Sequence, residues 1–538
     1  MEKTNLKINL ETEKNSIESI GINNLLDFFS PNWNIKKISS QSNQEFDQIF
    51  QIDNIPLSWF YKRLLSFHTI PPQFQTKQLI IQFLEEKKIE IDQKLEKKQK
   101  KLQRLYYLNE KIKQKIYGNK EIKTNPEKLN VLFLTYLDHA NEEGKIFRLN
   151  NLIDQIKKEQ KLHPLTITVT PLSKKFYSTI KKQYQCENNF YHFIKKEHKK
   201  QAKKVAEELS KKWQLLKEQD KINLFGNSSL WNCLRYPLEF YFSYQFIYTL
   251  ILCYYTSENI IKENNIKEIV ITSQHNIYER CLNAAANKLN IPVLLIQHGA
   301  GMGSINPELL PPYKIAVFSD YYKQLLIEQN VPTKNISVTG ALIFDEIYPN
   351  LQKKSKKNKL PKILILTVPF IEQRYFEKKE YFDYIKKTIE ELRDISCEIT
   401  IKLHPREKTL KEYVKLKNDY YWSNVEIVQK TDSSYLYNLM SESDIIINFS
   451  STTALEAMIL DKPLITIIFD NFKNPFNILL NESKATREVH SKNNITIAVR
   501  ELLIKDNLKN QRKAFVEKVC GMIDGKASER VVEIIYEL

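Results

Sequence analysis

The sequence predicts an α/β protein made of two successive doubly wound parallel-sheet domains that face each other across a cleft. Three observations carry this expectation. Short apolar runs of strand length recur from about residue 129 onward, each followed by an amphipathic segment of helical period. The runs are continuously apolar rather than alternating, as in parallel strands buried on both faces. Glycine is scarce, 10 in 538 residues, yet Gly299, Gly301 and Gly303 crowd together just after the run Ile291-Pro-Val-Leu-Leu-Ile296. A chain that spends so little glycine clusters it where the backbone turns sharply or approaches something closely. An apolar strand running into a Gly-rich loop is how α/β proteins build phosphate and substrate sites.

Composition narrows the class. A chain of 538 residues exceeds one core and divides into two or three domains. Hydrophobic content of 42% and aromatic content of 11% exclude global disorder. The net charge of +17 suits a nucleotide donor or an anionic membrane surface, and equally a surface of solvated lysines. No nucleic-acid motif accompanies it, so nucleic acid is not expected as a partner. The six cysteines, at 186, 233, 253, 281, 397 and 520, form no CxxC pair and no metal-ligand spacing. They read as reduced thiols of a cytoplasmic protein. The opening MEKTNLKINLETEKN has no apolar signal core. The most apolar stretch, Pro237 to Tyr255, is broken by Glu239, Ser243 and Gln245 and reads as a buried helix rather than a bilayer span.

Residues 1–128 form a helical extension. Leu57-Ser-Trp59-Phe60-Tyr61 is an aromatic packing cluster. Leu84, Ile91, Leu105 and Ile112, with Leu95, Leu102 and Ile116, recur at sevens in a heptad seam broken by Lys88, Lys98 and Asn109. The seam fits a helix packed on its own domain or a homo-oligomer coiled coil. Residues 129–310 make the first doubly wound domain: strands at 130–135, 166–169, 266–272 and 291–296, with helices from near Lys145, over 192–221 and over 276–289. Residues 311–515 make the second: strands at 314–318, 336–339, 362–367, 398–403, 444–448 and 463–468, with helices at 321–329, 377–393 and from Ala454. The lysine-rich Lys353 to Lys359 lies between strands. Residues 516–538 form a crossover helix, entered through Asp524-Gly525-Lys526 and expected to pack across both domains.

The chemistry concentrates at strand ends. Ser450-Ser451-Thr452-Thr453 sits at a strand-to-helix turn, where hydroxyls and backbone N–H groups serve a phosphate or cap the helix. Glu456, one turn on, suits ribose hydroxyls or the favourable acidic position of a first helical turn. His404-Pro405 closes a strand, with Lys402 and Arg406 adding charge; a histidine held there donates to a phosphate or protonates a leaving group. His298 stands between a strand and the Gly299 loop, as a base, a phosphate donor or a structural histidine. Gly340 ends a strand and allows close approach or a tight turn. The loop after the first strand holds His139, Glu142 and Glu143, suited to an acceptor or to a solvated loop, and Ser273 and Gln274 follow another strand on the same side. P-loop, GxSxG, HExxH and kinase signatures are absent.

Taken together, Gln297-His298-Gly299, Val338-Thr-Gly340, Lys402-Leu-His404-Pro405, Asp444 through Thr452 with Glu456, and Asp524-Gly-Lys-Ala-Ser528 resemble the GT-B glycosyltransferases of surface and capsular polysaccharides. That group includes CDP-glycerol glycerophosphotransferases, capsule Kdo transferases and polysialyltransferases. The resemblance spans about residues 129–538. It implies a GT-B fold, a nucleotide-activated donor in the C-terminal domain, and a glycan or lipid-linked acceptor on the N-terminal one. By it, His404 contacts the donor phosphate, Ser450 and Ser451 hold phosphate, Glu456 holds ribose, and His298 lies at the reaction centre. Glu142-Glu143-Gly144 is similar to the acidic-acidic-Gly motif of bacterial sialyltransferases, with Glu143 as base. The resemblance implies no metal or other cofactor. The reduced thiols give a cytoplasmic protein, and the basic helices offer it a peripheral membrane contact. A UDP-N-acetylhexosamine 2-epimerase shares the architecture, and its resemblance runs from Gln297 to Asp345; it differs by a Ser-Gly-Gly turn where this chain has Ser450-Ser451-Thr452. A non-catalytic scaffold on a decayed enzyme fold is the third reading.

Overall fold

The computed structural model describes residues 49–60, 128–136, 149–169, 188–223, 238–274, 276–300, 308–351, 360–372, 376–430, 433–449, 451–469, 482–490 and 494–538, with residues 108, 231, 235, 479 and 480. The heptad seam, the loop bearing His139, Glu142 and Glu143, the helix start near Lys145, Gly301, Gly303, Lys353 to Lys359, and Ser450 lie outside the described residues.

A small hairpin, β1 (Gln51–Ile52) and β2 (Ile55–Pro56), turns through Asp53 and Asn54 at φ 49° and 66°, left-handed values that Asp and Asn tolerate best among non-glycine residues. It seats Phe50, Leu57 and Phe60 in the core of the first unit, where Phe50 meets the Trp213 and Phe242 rings.

The first unit runs β3 (Leu129–Tyr136), α1 (Asn150–Lys158), β4 (Leu162–Val169), β5 (Asn188–Asn189), α2 (Lys196–Leu215), α3 (Tyr244–Glu263), β6 (Ile266–Ile271), α4 (Ile277–Leu289), β7 (Val293–Ile296), β8 (Tyr313–Val317), α5 (Asp320–Glu328) and β9 (Ile336–Val338). All strands pair in parallel, in the order β5-β4-β3-β6-β7-β8-β9. The expected apolar stretch, Pro237 to Tyr255, is not one helix: the chain breaks at Ser243, which caps α3, and α3 carries on to Glu263, buried through Ile247, Leu250, Ile251 and Tyr254. Among the described residues no helix is long and apolar enough to cross a membrane.

The second unit runs β10 (Lys362–Leu366), α6 (Lys378–Glu391), β11 (Glu398–Lys402), α7 (Leu410–Asp419), β12 (Val425–Val428), α8 (Ser433–Glu442), β13 (Ile445–Asn448), α9 (Thr453–Ile459), β14 (Leu464–Ile468), β15 (Arg487–His490) and α10 (Ile495–Ile504). Its parallel order is β12-β11-β10-β13-β14-β15. Numbered within the unit this is 3-2-1-4-5-6, the doubly wound dinucleotide-binding order, and the first unit has the same order with one strand added. Two such units in one chain are the α/β arrangement of the GT-B class.

Two expectations need correction. The strands near 314–318 and 336–339 open the second domain in the sequence reading, but β8 and β9 close the first sheet, β8 lying between β7 and β9. The chain changes sheets between Val338 and Lys362. An apolar run announces a buried strand and carries no information about which sheet receives it. The last helix, α12 (Ala527–Glu537), does not lie across both units. Its Val531, Val532 and Ile535 cover Val131, Phe133, Leu152 and Ile156 of the first unit. The bridging helix is α11 (Lys509–Cys520), whose Phe515 and Val519 share one apolar cluster with Tyr322 and Leu326 of α5 and Leu455 and Met458 of α9.

Candidate functional site

In doubly wound sheets ligands bind beyond the carboxyl ends of the strands, where the order reverses. In the second unit that point lies between β10 and β13. Register places Lys402, Leu366 and Asn448 side by side on neighbouring strands. The turn after β11 and the turn after β13 therefore stand two strand spacings apart, about 10 Å.

The first turn is His404-Pro405-Arg406-Glu407. Proline at the second position favours a tight turn, and the Glu407 amide donates to the His404 carbonyl at 3.0 Å. The His404 amide donates to Glu407 Oε1 at 2.9 Å and to Thr367 Oγ1 at 3.2 Å. The Arg406 amide donates to His404 Nδ1 at 3.1 Å. With Nδ1 accepting, a neutral imidazole carries its proton on Nε2. Burial, with the nearby positive charges of Arg406 and Lys402, lowers the His404 pKa to about 4. His404 is therefore neutral at pH 7 with Nε2–H as its donor, and an entering phosphate would draw its pKa up.

Lys402 does not point charge at the surface. It is 5% exposed and donates to the Leu403 carbonyl at 2.9 Å, and burial lowers its pKa to about 8. Arg406 is exposed at the turn. Glu407, which no sequence motif marks, is 4% exposed and also bonds the Tyr413 hydroxyl at 3.0 Å and that of Thr367. Burial raises it to about 7 despite these donors. The available signal was the third position after His404 in a turn whose amides need acceptors.

In the second turn, buried Asn448 accepts from the Ser451 amide and donates to the Ser451 carbonyl, both at 3.1 Å. The Ser451 hydroxyl accepts from the Thr453 amide at 3.3 Å, a side-chain turn that leads into α9, whose N-cap Thr452 makes no side-chain cap bond. Thr452 is exposed with φ −63°, so the backbone itself does not call for glycine there. Glu456 is half-buried on α9.

In the first unit the reversal lies between β3 and β6. Ser273 and Gln274 follow β6; His298 and Gly299 follow β7. Gln274 is committed to structure: its Oε1 accepts from the Glu308 amide at 3.0 Å, and its carbonyl accepts from Arg280 Nε at 3.2 Å. Arg280, 1% exposed, also pairs with Glu308 at 2.6 Å and reaches the Trp59 carbonyl. Gln297, buried between Phe318 N and the Gly299 carbonyl, fixes the start of the His298 loop. A side chain at Gly299 would meet nothing within 4 Å among the described residues.

The Gly340 motif has a different use. Gly340 lies at φ 79°, and a Cβ there would stand 2.9 Å from the Met522 carbonyl. Arg530 donates to the Thr339 carbonyl at 2.7 Å, and Asp345 accepts from the Ala527 and Ser528 amides at 3.1 and 2.9 Å. Val338-Thr-Gly340, Asp345 and Asp524 through Ser528 thus hold one another. A crevice of about 830 Å³ lies beside them, lined by Ser319, Tyr321, Val338, Met458, Val516 and Met522; of the sequence motifs only Val338 reaches it, and none of the residues expected to bind or react does. Among the described residues no cluster of three or more His, Cys, Asp or Glu is arranged to hold a metal ion.

Residues 315–536 match the family model of UDP-N-acetylglucosamine 2-epimerase, less than half of the chain. No curated protein sequence matches. Similar solved structures include the UDP-GlcNAc 2-epimerase of Methanocaldococcus jannaschii, with 16% identity over 76% of this chain and 100% of that one and a TM-score of 0.47. S. aureus MnaA, in a co-structure with UDP, gives 15% identity over 76% and 96%, TM-score 0.45. Acinetobacter baumannii MurG gives 13% identity over 76% and 100%, TM-score 0.44.

Proposed function

We propose that this protein is an enzyme acting on a nucleotide-activated sugar, held at the carboxyl edge of the second unit. The observation that supports it most is the His404 turn: a neutral imidazole with Nδ1 engaged and Nε2–H left to donate. It lies about 10 Å from the Ser451 turn and within the family match over 315–536. In this reading Nε2–H and exposed Arg406 meet the diphosphate, Ser450, Ser451 and Thr452 flank it, and Glu456 takes the ribose. His298, Glu143, Glu142, His139 and Ser273 border the reacting sugar from the first unit, with His298 or Glu143 as base, and Gln274 supports the loop behind them.

For the reaction, the family match sets 2-epimerisation of a UDP-N-acetylhexosamine ahead of glycosyl transfer. Transfer to a glycan or lipid-linked acceptor is the second reading, supported by the Ser451-Thr452 turn in place of paired glycines. Incubation with UDP-GlcNAc and no acceptor separates them. Conversion to the C2 epimer is the expected result; consumption only when an acceptor glycan is added supports transfer. No conversion in either arm, with no rise in melting temperature on adding UDP, CDP, CMP or GDP compounds, overturns the reading.

A further inference from the structure

Glu407 holds both ends of the His404 turn. Its own amide donates to the His404 carbonyl, and its carboxylate receives the His404 amide. Around the carboxylate stand the His404 amide, which can only donate, and the Thr367 and Tyr413 hydroxyls, whose alternative acceptors are the Lys402 carbonyl at 3.4 Å and the Tyr381 hydroxyl at 3.3 Å. With both hydroxyls turned to it, the three suit an ionised carboxylate, which only accepts; a carboxylic acid would place its own O–H on one of the hydroxyls. The Gln429 side chain donates to the Glu407 carbonyl at 2.7 Å, which fixes the residue from β12's end of the sheet.

We propose that Glu407 is the positioning residue of this turn: its ionised carboxylate, acting through the His404 amide, aims the imidazole Nε2–H at the donor diphosphate. This rests on the sugar-nucleotide reading. The proposal makes affinity depend on the charge of a residue that does not touch the ligand. The charged and titratable groups around it are Lys402 on β11, His404 and Arg406 in the turn, Glu372 after β10, Tyr381 on α6 and Tyr413 on α7. Desolvation outweighs the three donors, so Glu407 protonates near neutrality and the turn loosens below that pH.

The test compares wild type with Glu407→Gln, which keeps shape and one acceptor but not charge. UDP-GlcNAc is the probe, because its diphosphate diester keeps its charge across pH 5.5–8.5, a window of about three units around the Glu407 value. Wild-type affinity is expected to rise about tenfold between pH 6 and 8, while the variant stays near the low-pH value throughout. Lys402 titrates in both proteins and its pKa is raised by the Glu407 charge, so the affinity profiles are read together with a measurement made at the imidazole itself. A second readout needs no ligand. Histidine ¹⁵N spectra, assigned through His404→Gln, should show the Nε2–H tautomer at 404 in wild type at pH 8 and a mixture of tautomers in Glu407→Gln. Equal tautomers and parallel affinity profiles overturn the positioning role. A tautomer change without any UDP-GlcNAc binding by wild type leaves Glu407 as the anchor and overturns the sugar-nucleotide reading instead.

Discussion

Two motif sets, equally prominent in the sequence, are used in opposite ways. Val338-Thr-Gly340, Asp345 and Asp524 through Ser528 turn their polar groups on each other: Asp345 caps the last helix and Arg530 grips both Thr339 and Asp524. The His404 turn also satisfies its backbone internally, but it does so with Nδ1, and no described residue meets Nε2. The first set is a clasp that returns the chain to its first unit. The second is a donor held ready at a strand end. A motif's position in a family-like pattern does not say which of the two it is; the direction of its hydrogen bonds does.

Changes to the clasp should cost stability and leave ligand binding intact; changes to the His404 turn should do the reverse. The largest effect is expected just ahead of the clasp, at Gly521, which ends α11 at φ 68° and where a Cβ would lie 2.2 Å from the Phe318 carbonyl. Gly521→Ala should lower unfolding free energy by about 3 kcal/mol, measured by denaturant titration, with UDP-GlcNAc affinity of the folded protein unchanged. Next, His404→Ala should reduce turnover on the order of 10²-fold while the melting temperature moves by about 2 °C or less. His404→Gln, which restores a neutral donor, should recover most of that loss; equal failure of both variants would assign His404 the role of acid.

The pH dependence sharpens the same point. The His404 pKa is depressed in the folded protein, so its contribution to stability is complete above the unfolded value of 6.5 and is lost as pH falls toward about 4. Wild type should therefore lose about 2–3 kcal/mol relative to His404→Gln across that window; parallel stability curves would place the imidazole in water. The smallest effect is expected at Asp345. Its alanine variant removes acceptors for the Ala527 and Ser528 amides and should cost about 1 kcal/mol with no change in affinity.

The sequence carried the class of the fold because buried parallel strands write themselves as continuous apolar runs: β3, β6, β7, β10, β11, β13 and β14 all appear in it. It did not carry β5, β12 and β15, whose Asn188-Asn189, Val425-Glu-Ile-Val428 and Arg487-Glu-Val-His490 are short or polar edge strands that periodicity alone does not separate from loop. Nor did it assign β8 and β9 to a sheet, since strand membership is decided by pairing across the fold. At the site, His404 and Ser451 were legible as polar residues after apolar runs. Glu407 and Asn448 were not, because their work is to satisfy backbone groups that become visible only when the turn is built. Gly340 was legible as special, but what it approaches, the Met522 carbonyl, lies about 180 residues downstream in the chain.

The central claim is that the carboxyl edge of the second unit holds a nucleotide sugar through His404. Calorimetric titration of UDP-GlcNAc into wild type and His404→Ala at pH 8 tests it most directly. Saturable binding by wild type, weakened at least tenfold in the variant at unchanged melting temperature, is the predicted result; equal affinity in the two proteins, or no binding by wild type, would contradict it.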